Sequence, residues 1–562
     1  MSYELDCRRY TDIDAYISSI RSMSSKLAIY ATKNLGEIVA GRSNLVNLDA
    51  MIKRADFALN DSDDQLAFEQ FNTIPARELM SGGLTGSILR KPDFQRETNH
   101  WTPDQVVSLL ECYINGDLIP SVILWRSPTY LFVIDGGHRL SVLKAWMEDD
   151  YGDGQISHKM FGHDIPSEQR RAAERTRRLV KERVNTWAYY KSLQDDDEDI
   201  TQEQRTKLLT LTSRGLQVQW VQGNADKAEA SFFNINMKGT PLDDLEELLL
   251  RNRKKPVPIA ARAIIRAGRG HKYWSQFSDI VANNIEEESK KLSTLLFSPE
   301  IKRPIKTLDL PLGGSKGIRT AIRVLIDFIL FANRKQQCEA PSVDSFQDDP
   351  DGQLTFFVMK KVTTLASRIT GNEKGSLGLH PAIYYYGPSG RHSTPMFLGT
   401  SSLIAEKIAN NDKIFFQKFT DIRERLESLL IEHKDLIATI LQKSISKYRV
   451  PRYHNLLNNI VSALSAGEEI GEKELISFSD LDGKIIAGDF KKTSVKISGD
   501  DKSKVFIDVA LRNGIKCSIC RGYIDVEKSV SYDHIEPVRD GGLGDSDNAQ
   551  LTHPYCNQSV KQ

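Results

Sequence analysis

The spacing of apolar residues changes along the chain and predicts several regions of different structure. Residues 1–87 carry apolar residues at helical spacing and end in a glycine-rich stretch, which predicts an N-terminal helical segment followed by a loop. In residues 88–250 helical and alternating patterns follow one another, as is typical of an α/β domain. Residues 251–482 are mainly helical in their spacing. The chain is therefore predicted to be an α+β multidomain protein.

Local signals place the elements of the predicted α/β domain. Thr102 followed by Pro103 is typical of a helix start, and apolar residues at helical spacing come next. Two strands are predicted at 121–125 and 130–135, followed by a helix at 139–147. A strongly basic helix at 167–184 and a last strand at 216–222 come next. The arginines of the basic helix lie on more than one face, so some are solvated or paired with the acidic residues at 195–199, and the alternative is a nucleic-acid surface.

A glycine turn joins the second predicted strand to the next helix. The strand delivers Asp135 into Gly136 and Gly137, and the following helix presents free backbone N–H groups and the positive end of its dipole. Such a turn can hold a phosphate, because glycines permit close approach. From the spacing alone, an ordinary tight turn with an aspartate cap is the favoured alternative.

Composition and charge narrow the classes of protein without identifying one. Lysine plus arginine and aspartate plus glutamate both number 75, so any nucleic-acid surface must be a local patch. A lysine-rich stretch at 483–505 is predicted to be a linker that either contacts phosphates or is simply solvated. The N-terminus lacks the apolar core of a signal peptide, and no apolar run is long enough to cross a bilayer. We expect a cytoplasmic protein without a membrane partner.

Metal-binding side chains are concentrated in residues 506–562, which contain three of the six cysteines. Cys517 and Cys520 form one chelating pair, and His553 and Cys556 form another, a set that suits a structural Zn²⁺. So small a region has too few residues for a self-sufficient core, and metal binding would supply much of its folding free energy. A zinc ribbon without catalysis would explain these four ligands, but not the residues between them.

The residues between the chelating pairs, and one directly after the second pair, suggest catalysis. Asp533-His534 closes a predicted strand, and Gly541-Gly542 forms a predicted turn. Asn548 opens a predicted short helix, and Asn557 follows the last cysteine. This order resembles the HNH endonuclease family over residues 506–562. The last residue of the HNH motif is here an asparagine, Asn557, in place of a histidine. His553 stands where the family usually has a cysteine, and this change keeps a zinc ligand at the position.

The resemblance to HNH endonucleases implies a role for each of these residues. His534 would be the general base that deprotonates water, and Asn548 would orient it. Asp533 and Asn557 would hold one catalytic divalent ion, and their oxygen ligands suit Mg²⁺ or Mn²⁺ better than a second zinc. The resemblance also implies a small ββα-metal fold whose Cys₃His set holds a structural Zn²⁺.

Separated motifs in the predicted α/β domain carry a second resemblance: DFQR at 93–96, VIDGGHRL at 133–140 and FFNINMKGTPL at 232–242. They resemble the ParB-like, sulfiredoxin-like N-terminal domain of GmrSD-type modification-dependent restriction enzymes. The resemblance implies a site for a nucleotide or phosphate, lined by Gln95, Arg96, Asp135, Gly136, Gly137, His138 and Arg139, with Asn236 nearby. Gly137 replaces the glutamine usual in that family, so nucleotide binding is better supported than hydrolysis.

Together the resemblances predict a metal-dependent HNH DNA endonuclease of a restriction or anti-phage defence type. A ParB-like domain that senses a nucleotide or a DNA modification would control cleavage, and the helical middle would relay the signal. Two alternatives stay open: a nucleotide-switched DNA-binding protein whose HNH fold is a non-catalytic zinc-stabilised module, and a nicking or homing enzyme outside defence. An additional nucleoside triphosphatase activity and a homo-oligomeric state are also left open.

One irregular segment of the predicted helical region could carry further specificity. Residues 375–395 are rich in glycine, proline and tyrosine, and include His380, His392 and consecutive tyrosines at 384–386. They either recognise a modified base or form an irregular packed connection. Packing is the favoured interpretation.

Overall fold

Two compact units make up the chain, Met1–Pro241 and Leu242–Gln562. The computed structural model describes residues 45–57, 70–93, 95, 98–162, 165–193, 200–238, 244–315, 318–479, 481 and 497–560. Most of the N-terminal helical segment predicted for residues 1–87 lies outside these ranges. Among the described helices, none is both long and apolar enough to cross a membrane.

The first unit is built on a six-stranded mixed sheet with the strand order β1-β3-β5-β4-β6-β2. Its strands are β1 (Arg54–Ala55), β2 (Thr73–Pro75), β3 (Leu89–Pro92), β4 (Val122–Arg126), β5 (Leu131–Asp135) and β6 (Gly215–Trp220). The pairs β1–β3, β3–β5 and β4–β6 are parallel, whereas β4–β5 and β2–β6 are antiparallel. Because β1 and β2 precede residue 88, the sheet begins earlier in the chain than the predicted α/β domain.

Helices connect the strands of the first unit. They are α1 (Leu84–Ile88), α2 (Pro103–Asn115), α3 (Gly137–Glu148), α4 (Gln155–Phe161), α5 (Ser167–Arg183), α6 (Trp187–Ser192), α7 (Gln202–Ser213) and α8 (Ala225–Lys238). The strands and helices predicted between residues 102 and 222 are confirmed to within two residues at their ends. Thr102 caps α2 with a capping box, in which its side chain accepts a hydrogen bond from the backbone of Gln105.

The short helix α1 corrects one prediction, because the glycine-rich stretch at 81–87 was expected to be a loop. It follows a single 3₁₀ turn, Ala76–Leu79, against which it packs closely. An added Cβ at Gly86 would lie 2.7 Å from the carbonyl oxygen of Glu78. The glycine therefore permits close approach of two backbone segments rather than marking a linker.

Apolar side chains of the strands and of α2 and α3 form the core of the first unit. Val107 and Leu110 of α2, Val133 of β5 and Leu143 of α3 are all fully buried. Burial of each such side chain contributes roughly 1.5–3 kcal/mol to the stability of the fold, relative to leaving it exposed to water. This packing fixes the end of β5 and the start of α3, and so positions the glycine turn between them.

The basic helix α5 is tied to acidic residues of its own unit. Arg177 bonds Asp149 and Asp153, and Arg183 bonds Glu111. These two arginines are thus paired within the first unit, with acidic residues that the sequence did not indicate. The acidic residues at 195–199, which the sequence offered as partners, all lie outside the described part of the chain.

The second unit is mostly helical. Its helices are α9 (Asp244–Arg251), α10 (Pro256–Ile265), α11 (Asp279–Phe297), α12 (Ile318–Ala332), α13 (Gln353–Ile369), α14 (Pro381–Tyr384), α15 (Thr394–Ala409), α16 (Lys413–Asp421), α17 (Arg423–Glu432), α18 (Lys434–Lys443), α19 (Arg449–Ser465), α20 (Glu472–Ser477) and α21 (Gly499–Arg512). Fully buried residues such as Ile264, Phe328, Val362 and Leu403 join α10, α12, α13 and α15 in one core. The side chains at 384–386 are also completely buried, which confirms the packed-connection interpretation of the segment 375–395.

A small C-terminal module completes the second unit. It contains the antiparallel strands β7 (Ser531–His534) and β8 (Ala549–Thr552), followed by one turn of π-helix, Cys556–Val560. Most of the predicted linker 483–505 lies outside the described residues, but from Gly499 onward the chain is helix α21. The start of the predicted domain 506–562 therefore falls inside a helix.

Asn548 does not open a short helix, as the sequence suggested. It ends a 3₁₀ turn, Ser546–Asn548, that is capped by Asp545, whose carboxylate accepts hydrogen bonds from the backbone of Asp547 and Asn548. The next residues pair with β7 instead of continuing the turn. Cross-strand pairing has thus overridden the local helix signal.

Candidate active site and metal centre

Four predicted metal ligands come together in the C-terminal module. The ligand atoms of Cys517, Cys520, His553 and Cys556 all lie within 4.8 Å of one another. The three cysteines are buried with Ile524 in a small apolar cluster, which is too small to stabilise the module alone. Three thiolates and one imidazole are a typical donor set of a closed tetrahedral zinc site.

Hydrogen bonds orient the imidazole of His553 towards the sulfur atoms. Its Nε2 lies 3.0 Å from the carbonyl oxygen of Tyr523, which can only accept, so this nitrogen carries the proton. Its Nδ1 lies 3.3 Å from Sγ of Cys520 and 3.9 Å from Sγ of Cys556. Nδ1 is therefore the nitrogen that can bind a metal, and the backbone of Tyr523 sets the tautomer.

Asp533 lies on β7 and is held by a residue of the opposite strand. It is paired in register with Gln550, whose Nε2 donates a 2.9 Å hydrogen bond to Oδ2 of Asp533. Asp533 is only 9% exposed. The bond fixes the rotation of the carboxylate, and with it the direction in which the other oxygen points.

Asn557 approaches the same strand from the C-terminal turn. Its Nδ2 donates to Oγ of Ser531 at 2.8 Å and to the carbonyl oxygen of Tyr532 at 3.1 Å. Ser531 and Asp533 are two residues apart on a strand and share one face, so Asn557 reaches the face that carries Asp533. Since Nδ2 is engaged twice, Oδ1 is the atom of this amide that suits a hard cation.

His534 ends β7 and is partly exposed, directly before a loop that Asn548 closes. Oδ1 of Asn548 accepts from the backbone N–H of Glu536 at 2.7 Å, and its Nδ2 donates to the carbonyl oxygens of Glu536 and Leu543. The side chain of Asn548 thus binds backbone on both sides of the loop. It restrains the segment that follows His534.

Gly542 lies inside this closed loop, where no side chain fits. An added Cβ would overlap the carbonyl oxygen of Glu536 and lie 2.7 Å from Nδ2 of Asn548. The preceding Gly541 has φ +103°, a conformation that L-residues with side chains rarely adopt. The two glycines predicted as a turn therefore allow the loop to pack against the amide of Asn548.

A cavity of about 190 Å³ lies at the glycine turn of the first unit. Its lining includes six of the predicted residues, namely Gln95, Asp135, Gly136, Gly137, His138 and Arg139. Arg139 donates to Oδ2 of Asp135 at 2.7 Å, and the ring of His138 stacks on Trp101. Of the other two predicted residues, Arg96 lies outside the described residues and Asn236 belongs to α8, which the structure describes there only as backbone.

Two polar atoms of this cavity's lining are buried without a hydrogen-bond partner among the described residues, Oε1 of Gln95 and Nε of Arg139. Buried polar atoms normally have partners, and an unpaired one costs about 1–3 kcal/mol. The Nε2 of Gln95 is engaged with the carbonyl oxygen of Val133 at 3.1 Å. The two unpaired atoms are therefore suited to a polar ligand.

A buried ionic cluster positions the segment that carries Gln95. Oδ1 of Asp49 lies 2.7 Å from both Nη2 of Arg54 and Nζ of Lys91. Arg54 in turn donates to the carbonyl oxygen of Gln95, and Asp49 accepts from the backbone of Thr98 at 3.2 Å. Charges buried in this way are stable only when paired and hydrogen-bonded, which they are here.

Sequence reasoning missed several residues of both sites. Gln550 and Ser531 hold Asp533 and Asn557, and only the alternation of side chains along a strand pair could have indicated them. Thr98 and Phe232 line the cavity of the first unit but lie far from the glycine turn in the sequence. Phe232 begins the motif at 232–242, but nothing local in the sequence places it or Thr98 at the cavity, because these contacts depend on the tertiary fold.

Comparison with known families agrees with both resemblances. Residues 76–253 match the family model of the GmrSD restriction endonuclease N-terminal domain, and residues 517–562 match that of HNH endonucleases. Searches among curated proteins and among solved structures found no match. The two matched regions, with a Cys₃His cluster inside the second, indicate a metal-binding nuclease of the restriction type, whose substrate class is DNA.

Proposed function

We propose that this protein is a metal-dependent DNA endonuclease that cuts with its HNH module and is controlled by its first unit. The observation that carries the catalytic part is that Asn557, which directly follows the cluster residue Cys556, bonds Ser531 on the face of β7 that also carries Asp533. The cluster is assigned to a structural Zn²⁺. Asp533 and Asn557 are assigned to a catalytic Mg²⁺ or Mn²⁺.

His534 is the general base of this proposal. Partly exposed at the end of β7, it accepts a proton from the attacking water. The divalent ion, when bound, offsets the negative charge that develops on the scissile phosphate and the leaving oxygen. Asn548 acts on His534 through the backbone, because it restrains the loop that begins at the next residue.

The cavity at the glycine turn is assigned to nucleotide or modification sensing, and the first unit to a ParB-like fold. Its polar lining, and the unpaired Oε1 of Gln95 and Nε of Arg139, support a polar ligand. At about 190 Å³ it is smaller than the 300–1,000 Å³ typical of sites for drug-sized ligands. It therefore accommodates one part of a nucleotide, a phosphate or a base, and the remainder extends outside.

Plasmid cleavage by the full-length protein tests the proposed function. The assay compares Mg²⁺, Mn²⁺ and chelator, modified and unmodified DNA, and reactions with and without nucleoside triphosphates. We expect cleavage that requires a divalent ion and is abolished by His534→Ala. Asp135→Ala should leave the HNH module intact but change the response to nucleotide or DNA modification. Unchanged cleavage by His534→Ala would overturn the catalytic assignment, and zinc-containing protein that binds DNA without cleaving it would favour a non-catalytic module.

A further inference from the structure

Helix α17 contains an ion pair that is almost completely buried, Arg423 with Glu427. Nε of Arg423 donates to Oε1 of Glu427 at 2.8 Å, and the two side chains are 2% and 0% exposed. Burial disfavours the charge on Arg423, but the attraction of Glu427 holds the pKa of the guanidinium above its ordinary value. A buried pair of this kind persists only where further hydrogen bonds satisfy its remaining donors and acceptors.

Those further bonds connect α17 to the metal centre. Nη1 of Arg423 lies 3.4 Å from Nδ1 of His553, the nitrogen that faces the cysteine sulfurs. Glu427 accepts from the backbone N–H of Tyr523 at 2.6 Å, and the carbonyl of that same tyrosine fixes the other nitrogen of His553. Arg423 therefore contacts a predicted zinc ligand 130 residues away in the sequence, and Glu427 helps to orient the same ligand through Tyr523.

The remaining donors of Arg423 bind the connection between α13 and α14. Nη2 donates to the carbonyl oxygen of Gly378 at 2.9 Å, and Nη1 donates to that of Leu377. The approach is close, since an added Cβ at Gly378 would lie 2.8 Å from Cδ2 of His553. One guanidinium thus joins three parts of the unit: helix α17, the segment at 377–378 and the metal centre.

The positive charge of Arg423 lies next to the charged metal centre. Three thiolates and one Zn²⁺ leave one net negative charge on the centre, and this charge is buried. A buried cation beside the ligands offsets it, and outer residues that hold ligands in place commonly raise metal affinity. We propose that Arg423 is an outer-sphere residue of the zinc centre, and that zinc binding thereby also holds the HNH module against the helical part of its unit. This inference rests on the assignment of Zn²⁺ to the Cys₃His cluster.

Zinc release from the full-length protein tests the role of Arg423. Metal analysis first establishes that the purified protein contains zinc, and release to a coloured chelator is then followed over time. Arg423→Met should release zinc about 10–100-fold faster than the wild type. Arg423→Lys keeps a positive charge but loses the forked donors, and should lie between the two. The matched control is Arg425→Met, because Arg425 lies on the same helix and bonds carbonyls of Leu464 and Glu468 on another side.

Hydrogen exchange of the unmodified protein tests the second half of the proposal without any variant. The backbone amides of Leu377 and Leu379 are bonded to α13, so peptides covering 369–379 should exchange slowly with zinc bound. Removal of zinc should accelerate their exchange at least several-fold, while peptides from α12 should not change.

The possible outcomes distinguish a failure of the zinc assignment from a failure of the role proposed for Arg423. Protein that contains no zinc would overturn the metal assignment and this inference with it. Zinc that is present but leaves Arg423→Met and the wild type at equal rates would overturn the role of Arg423 alone. Unchanged exchange at 369–379 on zinc removal would show that the metal stabilises only its own module, and would overturn the link to the helical part.

Discussion

The amide of Gln550 donates a 2.9 Å hydrogen bond to Oδ2 of Asp533, its direct cross-strand neighbour in the β7–β8 pair. A proposed metal ligand is thereby held in orientation by a side chain that lies outside the HNH motif. A ligand fixed in this way loses less conformational entropy when the ion binds.

Gln550→Leu should therefore weaken binding of the catalytic ion more than it slows cleavage at saturating metal. We expect the Mg²⁺ concentration for half-maximal plasmid cleavage to rise about tenfold. Ser546→Ala, an exposed change in the neighbouring turn, is the control and should leave the metal titration unchanged. A fall in rate at every Mg²⁺ concentration, with no shift in the titration, would contradict the orienting role.

Asn548→Asp is expected to impair cleavage although it is nearly isosteric. The substitution removes the two hydrogen bonds from Nδ2 to the carbonyls of Glu536 and Leu543, and places a carboxylate against them. The loop behind His534 should loosen, and the cleavage rate should fall roughly 10–100-fold, which corresponds to about 1.4–2.7 kcal/mol. Zinc content, measured in the same preparations, should stay at the wild-type level. Loss of zinc would indicate instead that the whole module had unfolded.

A pair of glycine substitutions tests how tightly this loop is packed. Gly542→Ala places a methyl group against the carbonyl of Glu536 and Nδ2 of Asn548, whereas Gly544→Ala meets nothing within 4 Å. We expect Gly542→Ala to reduce cleavage as strongly as the Asn548 variant and Gly544→Ala to have little effect. Equal activity of the two variants would mean that the loop adapts without consequence for catalysis.

Acid should destabilise the second unit partly through His380. Burial, with the nearby positive charges of Lys434 and Arg423, lowers the pKa of His380 to about 3. In the unfolded chain the group titrates near pH 6.5, so the unfolded state binds more protons between these values. The stability that neutral His380 confers is therefore present above about pH 6.5 and is lost progressively as the pH falls towards 3.

The variant His380→Asn measures this contribution, because asparagine can still accept the capping hydrogen bond from Ala382 but does not titrate there. On going from pH 7.5 to 5.5 in excess zinc, the wild type should lose about 1 kcal/mol more unfolding free energy than the variant. Urea titrations at the two pH values provide the measurement. Identical losses would show that His380 is protonated in the folded protein at pH 5.5.

Features that depend on neighbouring residues in the chain could be predicted from the sequence. The start of α2 at Thr102 needs only a capping residue followed by proline and apolar residues at helical spacing. The zinc ligands are likewise indicated by two chelating pairs of short spacing. In both cases the physical requirement is local, so the sequence pattern carries it.

Features that depend on distant parts of the chain could not be predicted. Strands β1 and β2 have two and three residues and exist because β3 and β6 pair with them, which no local pattern reveals. Asn548 has the sequence context of a helix start, yet pairing with β7 makes the next residues a strand. The contact of Phe232 with the cavity at the glycine turn, and that of Arg423 with His553, also arise only from the tertiary fold.

The C-terminal module takes its hydrogen-bond partners from widely separated parts of the second unit. Lys528 donates to the carbonyl of Leu310, Ser529 accepts from the backbone of Gly371, and Tyr523 donates to Glu427. If recombination joined a foreign nuclease domain at residue 506, Glu427 would lose its hydrogen bond to Tyr523. The buried ion pair of Arg423 and Glu427 would then lack hydrogen-bond partners on the new domain. We therefore expect that the HNH domain of this protein cannot be exchanged alone, and that the helical part of the unit has to be inherited with it.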